Sequence, residues 1–299
     1  MILSNRSYYL PLIALAGALI VSSIPGLAQS GKRHKKIEPT NERSLKVTIE
    51  AGLGDVTIAK SKGGNILEAT VESDRTINLD DCIDYEIRDR VGFLNFTSDC
   101  DDNSKKHVKK SKTHFSDFES SDWWLNITDD VPISFDFELG MGKADINMTG
   151  LSVKDLNLST GASSVTLRFD EPNKSTIEDM SIEAGLSKFR AEGLGYANFN
   201  YFKFDGGLGT YVLDFSGNLT HEADVDIEIG LGSVTIIIPK NVGVKVFCEK
   251  NWISHLNIDE DDFTEREDDT YYTSNYSSAS GKMNMHVEAG MGSVKIKRE

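Results

Sequence analysis

The sequence is poor in cysteine, proline and basic charge. Among 299 residues there are only 3 Cys and 6 Pro, and 47 Asp and Glu outnumber 32 Lys and Arg, so the net charge is −15. A protein that binds nucleic acid needs a basic surface, so this excess of acid excludes that class. The few prolines beside 25 Gly also exclude a proline-rich or collagen-like chain.

Catalytic and metal-binding motifs are missing as well. The sequence contains no Gly-x-Ser-x-Gly elbow, no P-loop and no His-Glu-x-x-His pair. Acids are numerous, but no two of them stand out as the carboxylate pair of a glycoside hydrolase. We therefore predict no catalytic residues, no metal site and no resident cofactor, with a polysaccharide-degrading β-helix as the enzymatic alternative.

Only one long apolar run is present, near the start of the chain. Leu10–Val21 follows Arg6 and precedes the small residues Gly26 and Ala28, an order typical of a secretory signal. We expect cleavage before Gln29. The alternative is a retained membrane anchor, although this run is shorter than the ~20 residues that span a bilayer. The sequence thus predicts an exported protein, periplasmic or at the cell surface, with no transmembrane segment in the mature chain.

Export permits a disulfide, and the spacing of two cysteines favours one. The stretch Tyr85–Phe96 predicts a β-hairpin with its turn at Asp89–Gly92. Cys82 and Cys100 are equally far from residue 91, so we expect them to face each other at the open end of this hairpin. The alternative is two unpaired thiols at a frayed end. The third cysteine, Cys248, is expected to be a buried apolar residue.

The strongest pattern is a repeat in which glycine separates two alternating segments. One copy reads Val225-Asp-Ile-Glu-Ile-Gly-Leu-Gly-Ser-Val-Thr-Ile236. The apolar residues from Val225 to Leu231 share one face, whereas Val234 and Ile236 have the opposite parity, which a strand reaches only through a bend or bulge. Glycine allows the close backbone approach of such a corner. The first glycines of the seven copies lie at 52, 140, 161, 185, 207, 230 and 290, and the five central copies are 21, 24, 22 and 23 residues apart.

This repeat predicts an all-β fold, a single-stack parallel β-solenoid preceded by a β section that contains the hairpin. One copy cannot bury its apolar face alone, whereas stacked copies can. An antiparallel sandwich fits the alternation but does not explain the regular glycine interval. The predicted corner glycines are Gly52, Gly54, Gly140, Gly142, Gly161, Gly185, Gly207, Gly209, Gly230, Gly232, Gly290 and Gly292.

The corners, together with Trp123-Trp124-Leu125 and the run Ile133–Val246, resemble the toast-rack family. Gly150–Ser164 and Ile236–Val244 are especially similar to that family, and residues 45–100 resemble its N-terminal section. These bacterial envelope β-solenoids are related to the C-terminal domain of LiaF-like proteins of the cell-wall-active antibiotic response. The resemblance implies a solenoid without catalytic residues and, for some members, a role in envelope-stress sensing or scaffolding. The chain lacks the membrane helices of LiaF-like proteins, so a membrane-signalling role does not carry over.

The predicted organisation follows from these features. It comprises a signal peptide at 1–28, a basic flexible linker at 29–44, an N-terminal β section with a hairpin and a charged loop at 45–122, and a toast-rack solenoid at 123–299 that carries an acidic inserted loop at 255–282.

An outward row of acids is the candidate binding feature. Six of the seven copies carry an acid two residues before the corner glycine, and stacked like charges repel. Lys143, Lys188, Arg190 and Lys203 are candidates to neutralise them. The row is either a solvated face, a cation site for which Ca²⁺ is the candidate, or a docking stripe. It consists of Glu50, Glu138, Ser159, Glu183, Asp205, Glu228 and Glu288, with Glu138, Glu183, Asp205 and Glu228 at its centre.

These features predict a non-catalytic envelope solenoid that binds or scaffolds an unidentified envelope protein or glycan and is linked to envelope stress. The alternative is a surface adhesin or carbohydrate binder. In that case aromatic side chains would stack on sugar rings, and the candidates are Trp123, Trp124, Tyr271, Tyr272 and Tyr276.

Overall fold

Seven long strands stack side by side, and each of them is one copy of the glycine motif. The computed structural model describes residues 31–100, 121–249 and 254–299. Each long strand bends once at its corner glycine, so that it has a first arm before the glycine and a second arm after it. The long strands are β2 (Ser44–Lys60), β7 (Ile133–Asn147), β8 (Val153–Arg168), β9 (Ile177–Glu192), β10 (Phe199–Asp214), β11 (Glu222–Ile238) and β16 (Lys282–Arg298).

Neighbouring copies pair in parallel, corner to corner. Gly142 of β7 lies opposite Gly54 of β2, although the whole N-terminal β section lies between these strands in the sequence. Gly292 of β16 lies opposite Gly232 of β11 in the same way. The inserted segments therefore leave the stack uninterrupted, and the prediction of an all-β parallel stack is confirmed.

The inserted segments cover the two ends of the stack. β5 and β6 pair with the first and second arms of β2, and β12 and β13 pair with the corresponding arms of β16. These end elements are β1 (Gly31–Ile37), β3 (Leu67–Ser73), α1 (Leu79–Cys82), β4 (Ile83–Arg88), β5 (Val91–Thr97), β6 (Asp122–Ile127), β12 (Gly243–Glu249), β13 (Ser254–Ile258), β14 (Phe263–Glu267) and β15 (Thr270–Thr273). A short helix α2 (Leu194–Ala197) connects β9 to β10.

The hydrophobic core runs through the stack as columns of equivalent side chains. Phe204 and Tyr211 lie on opposite arms of β10 and contact each other, with ring centroids 5.2 Å apart. On β11, Ile227 is fully buried, but Leu231 is 43% exposed. The expectation that Leu231 shares the buried face is therefore wrong. The chain turns at Gly230, so the next side chain leaves the core and the buried parity resumes at Val234.

The hairpin forms between β4 and β5, with Arg88 opposite Val91 and a two-residue turn. The turn residues Asp89 and Arg90 have φ angles of 52° and 63°, the signature of a turn that matches strand twist. The structure joins Cys82 and Cys100 in a disulfide whose Cα atoms are 4.9 Å apart.

Two parts of the predicted organisation need correction. Within the predicted flexible linker, Gly31–Ile37 is strand β1, which pairs antiparallel with β3. Lys32 and Lys36 of this strand face acids across the ladder, as in the ion pair of Lys32 with Glu72 at 3.1 Å, and Lys35 pairs with Asp80 of α1. The predicted acidic loop contains β13, β14 and β15, because buried Phe263 and Tyr271 attach it to the core.

Other parts of the organisation stay predictions. The signal peptide and most of the charged loop lie outside the described residues. The boundary at residue 122 also stays a prediction, since one sheet runs through it. In the described ranges, no helix has the length and apolar character needed to cross a membrane.

Candidate functional site

The corners of the stack are built by glycine on glycine. A Cβ atom on Gly142 would overlap the backbone carbonyl of Gly54, and one on Gly207 would lie 2.9 Å from the carbonyl oxygen of Gly185. Gly142 also has a φ of +138°, which L side chains rarely adopt. The glycines thus let adjacent backbones touch, and their missing side chains leave an open strip along the corner.

This strip is the floor of a long groove with a volume of about 1020 Å³. Seven strands contribute to it at a spacing of ~4.8 Å, so the groove runs for ~29 Å across the strands. Its glycine floor consists of Gly52, Gly140, Gly161, Gly185, Gly207, Gly230 and Gly290.

The predicted acidic row forms one wall of the groove. All seven of its members line the cavity, and Asp99 and Thr97 close the end nearest β5. The members are in register, with Glu183 opposite Asp205 and Asp205 opposite Glu228. The structure therefore brings together all four central acids that the sequence singled out.

Most of these carboxylates are unpaired. Throughout residues 31–100, 121–249 and 254–299, no ion pair or side-chain hydrogen bond involves Glu50, Glu138, Glu183, Glu228 or Glu288. Five carboxylates thus share one groove without a direct ion pair to the described chain.

The cations expected to neutralise the row contribute little. Only Lys203 reaches it, with its Nζ atom 3.0 Å from Asp205. The hydrogen bond to Asp205 is the main cause that raises the pKa of Lys203, and the charge of Glu228 adds to it. Arg190 instead pairs with Glu192, outside the groove.

An apolar ridge runs across the strands beside the glycine floor. The residue after each first glycine is apolar and in parallel register with its neighbours, as in the pairing of Leu208 with Leu186 and Leu231. Five of its large side chains are exposed, with fractions between 43% and 59%, whereas Leu53 at the end of the stack is partly buried. The ridge consists of Leu53, Met141, Ala162, Leu186, Leu208, Leu231 and Met291.

One buried polar group also borders the groove. Thr160 lines it and is only 7% exposed, and its Oγ1 atom has no hydrogen-bond partner in the described chain. Thr160 is aligned with the core residues Leu139 and Ala184 of the neighbouring strands, so its unpaired hydroxyl belongs to the core column beneath the groove. Within these same residues, no three His, Cys, Asp or Glu side chains converge to form a metal site.

Two family models match this chain. A family model described as the N-terminal domain of toast_rack matches residues 27–191, more than half of the chain. The chain belongs to the toast-rack family. A second model, described as the C-terminal region of LiaF from the cell wall-active antibiotics response, matches residues 194–296. Neither description names an enzymatic activity. No curated protein matches this toast-rack sequence.

Solved structures with a similar chain path carry low sequence identity. A candidate cell adhesion protein from Clostridium sporogenes is 20% identical, with 91% of this chain and 100% of that chain covered and a TM-score of 0.43. A candidate adhesin from Bacteroides fragilis is 13% identical, with 89% and 96% covered and a TM-score of 0.34. One from Parabacteroides merdae is 12% identical, with 89% and 96% covered and a TM-score of 0.28. Similarity at this level assigns no function to the toast-rack protein.

A second cavity of about 310 Å³ lies on the outer face of the first arms. Several of its polar groups already have partners within the toast-rack chain, although Asp226 Oδ1 accepts no hydrogen bond there. His286 Nδ1 lies 3.2 Å from Asp226 Oδ1, and Asn284 donates to Asp224 at 3.2 Å. This cavity therefore offers a ligand fewer open contacts than the groove.

The aromatic residues of the adhesin alternative do not form one surface. Trp123 is 1% exposed and packs against Phe96 with ring centroids 4.8 Å apart. Tyr272 and Tyr276 contact each other, with ring centroids 5.3 Å apart, at the opposite end of the sheet. The tryptophans and tyrosines of this toast-rack protein therefore cannot contact one sugar chain together.

Sequence reasoning found the acidic row but missed the apolar ridge. The signal was present, because the residue after the first glycine is apolar in every copy. The parity of this residue continues that of the first arm, so alternation alone places it in the core. Only the bend shows that this column of the toast-rack stack faces solvent.

Proposed function

We propose that this toast-rack protein is a non-catalytic binding protein of the cell envelope and that it binds its partner through the corner groove. The observation that supports the proposal is a row of unpaired carboxylates that lines one groove, with a parallel ridge of exposed apolar side chains directly after the groove floor. Extended apolar surface of this kind is unusual on a protein that has no partner. A scaffold needs such a surface, whereas it needs no reactive group.

Glu183 and Leu186 represent the two sides of this surface on β9, and Glu228 and Leu231 represent them on β11. The experiment compares the parent protein with a variant that carries Glu183→Gln, Glu228→Gln, Leu186→Ser and Leu231→Ser. Both proteins are immobilised and incubated with envelope extract from the native host. We expect the parent to retain a saturable component that the variant loses.

A matched control tests whether the loss is specific to the groove. Glu260 and Glu267 are exposed acids outside the groove, so Glu260→Gln with Glu267→Gln removes two charges without touching it. Circular dichroism establishes that all variants fold. Equal retention by the parent and the groove variant would contradict binding at this surface. Recovery of the native protein from the cytosol instead of the envelope fraction would contradict its proposed location.

A further inference from the structure

We infer that the corner groove takes a cationic amphipathic segment of a partner polypeptide, with basic side chains on the acidic row and apolar side chains on the ridge. This inference rests on the proposed function, since it names the chemistry of the partner at the same surface.

The charge of the row defines the first requirement on the partner. Glu183 and Glu228 stand on either side of Asp205, at one strand spacing each, and of the three only Asp205 makes a direct ion pair in the described chain. Closely spaced like charges repel, and a multivalent cation relieves this repulsion along the whole row. The partner must therefore carry several positive charges.

The ridge defines the second requirement and separates a polypeptide from simpler cations. Leu186 and Leu208 are 59% and 48% exposed, and they lie one residue beyond the groove floor. A metal ion or a polyamine neutralises the acids but leaves these side chains in water. A polypeptide with an apolar stripe beside a basic stripe covers both, and removing the apolar surface from water favours its binding.

The length of the groove fits a helical segment that lies across the successive strands. Successive strands lie ~4.8 Å apart, and an α-helix presents a side chain on one face at each turn of ~5.4 Å. About five helical turns span the ~29 Å groove, so the basic and apolar stripes of such a helix would run along the row and the ridge without a fixed pairing of one side chain to each strand.

The test uses an 18-residue fluorescent peptide of lysine and leucine arranged at helical spacing, and the full protein. Binding is measured by fluorescence anisotropy at low and high salt. We expect saturable binding that weakens about tenfold in Glu183→Gln with Glu228→Gln, and about tenfold in Leu186→Ser with Leu208→Ser. Removing the two charges should not reduce stability, so the loss would not arise from unfolding.

Peptide controls separate the two requirements. A lysine–serine peptide lacks the apolar stripe, and a glutamate–leucine peptide lacks the positive charge. We expect both to bind at least about tenfold more weakly than the lysine–leucine peptide. Equal binding of the lysine–serine peptide overturns the role of the ridge. Equal binding by the Glu260→Gln, Glu267→Gln control and the Glu183→Gln, Glu228→Gln variant overturns the role of the row.

Other occupants are outcomes of the same experiment. Calcium chloride that displaces the peptide at micromolar concentration would assign the row to a cation and overturn the inference. Peptide binding seen only after Lys105, Lys106, Lys109, Lys110 and Lys112 are replaced by serine would assign the groove to the chain's own basic segment and overturn an external partner. If no peptide binds but the groove variant still loses the envelope component, the partner chemistry is wrong and the proposed function stands.

Discussion

The central stack and the N-terminal section of this protein are stabilised in different ways. In the stack, each of the five inner long strands pairs in parallel with two near-copies of itself, and the first corner glycine recurs in all seven copies. In the N-terminal section, short strands pair mostly antiparallel, and a disulfide joins the base of the hairpin. The repeated region depends on columns that many rungs share, whereas the end section depends on individual bonds.

The largest effect is expected where a corner column is broken. Gly142→Ala places a Cβ atom against the backbone of Gly54 at a φ of +138°. We expect a loss of about 4 kcal/mol in the free energy of unfolding, or failure to fold, because strain and backbone overlap add. Gly64→Ala in the N-terminal section is the control, since its Cβ meets open space at a φ of +69° and should cost only about 1 kcal/mol. Urea unfolding measures both, and similar losses would contradict the column argument.

The disulfide provides the next test. Cys82→Ser with Cys100→Ser opens a link between residues separated by 18 positions, which corresponds to about 3 kcal/mol by chain entropy. We expect amide exchange to accelerate in β4 and β5 while the long strands of the central stack keep their protection. Uniform acceleration across β8 to β11 would show that the end section and the stack unfold as one unit.

A buried asparagine tests whether the stack also depends on individual bonds. The side chain of Asn173 accepts from the backbone N–H of Val153 and donates to the carbonyls of Val153, Ser175 and Ala197. Asn173→Leu leaves these groups without partners, so we expect thermal unfolding to show a loss of about 3 kcal/mol. Asn147→Ala removes one partly buried bond and should cost about 1 kcal/mol. Equal losses would mean that the network adds nothing beyond a single bond.

An ion-pair cluster joins the two regions and gives a pH dependence. Asp129 lies 2.6 Å from both Lys174 and Lys60, and hydrogen bonds from these lysines lower the pKa of its carboxyl group. Because the pKa of Asp129 is lower in the folded protein than in the unfolded chain, its ionised form stabilises the fold. This contribution is complete above the unfolded pKa of about 4 and disappears as the pH falls through the lower pKa of the folded state. Asp129→Asn should therefore cost about 1 kcal/mol at pH 7 and less below pH ~4. A cost that does not change between these pH values would contradict the assignment.

The smallest effect is expected on the acidic row. Glu228→Gln removes one of the stacked charges, so we expect a gain of about 0.5 kcal/mol at low salt that diminishes at high salt. Glu86→Gln on the hairpin removes a partner of Arg88 and should not stabilise. A loss of stability in Glu228→Gln, measured by urea unfolding at both salt concentrations, would contradict repulsion within the row.

Much of the fold was predictable because the repeat is local. The interval of the glycines and the change of parity within each copy indicated a bent strand, and equivalent positions of stacked copies must align. The row from Glu50 to Glu288 follows from that alignment. The hairpin was predictable because its two strands are adjacent in sequence.

The end elements were harder to predict. Gly31–Ile37 is basic and resembles a linker in composition, yet it becomes a strand because its backbone pairs antiparallel with β3, where Glu72 and Glu68 lie opposite Lys32 and Lys36. Strands β14 and β15 lie in an acidic segment and are attached by Phe263 and Tyr271. In both cases a distant partner outweighs local composition.

The sequence by itself determined the repeat, the parallel alignment of its copies and the order of acid, glycine and apolar residue at each corner. Tertiary structure alone decided which of those residues face solvent. The parity of Leu231 continues that of Ile229, so alternation places both on one side of a straight strand. The bend at Gly230 turns one into the core and the other outward, and that rotation, repeated at successive rungs, builds the groove.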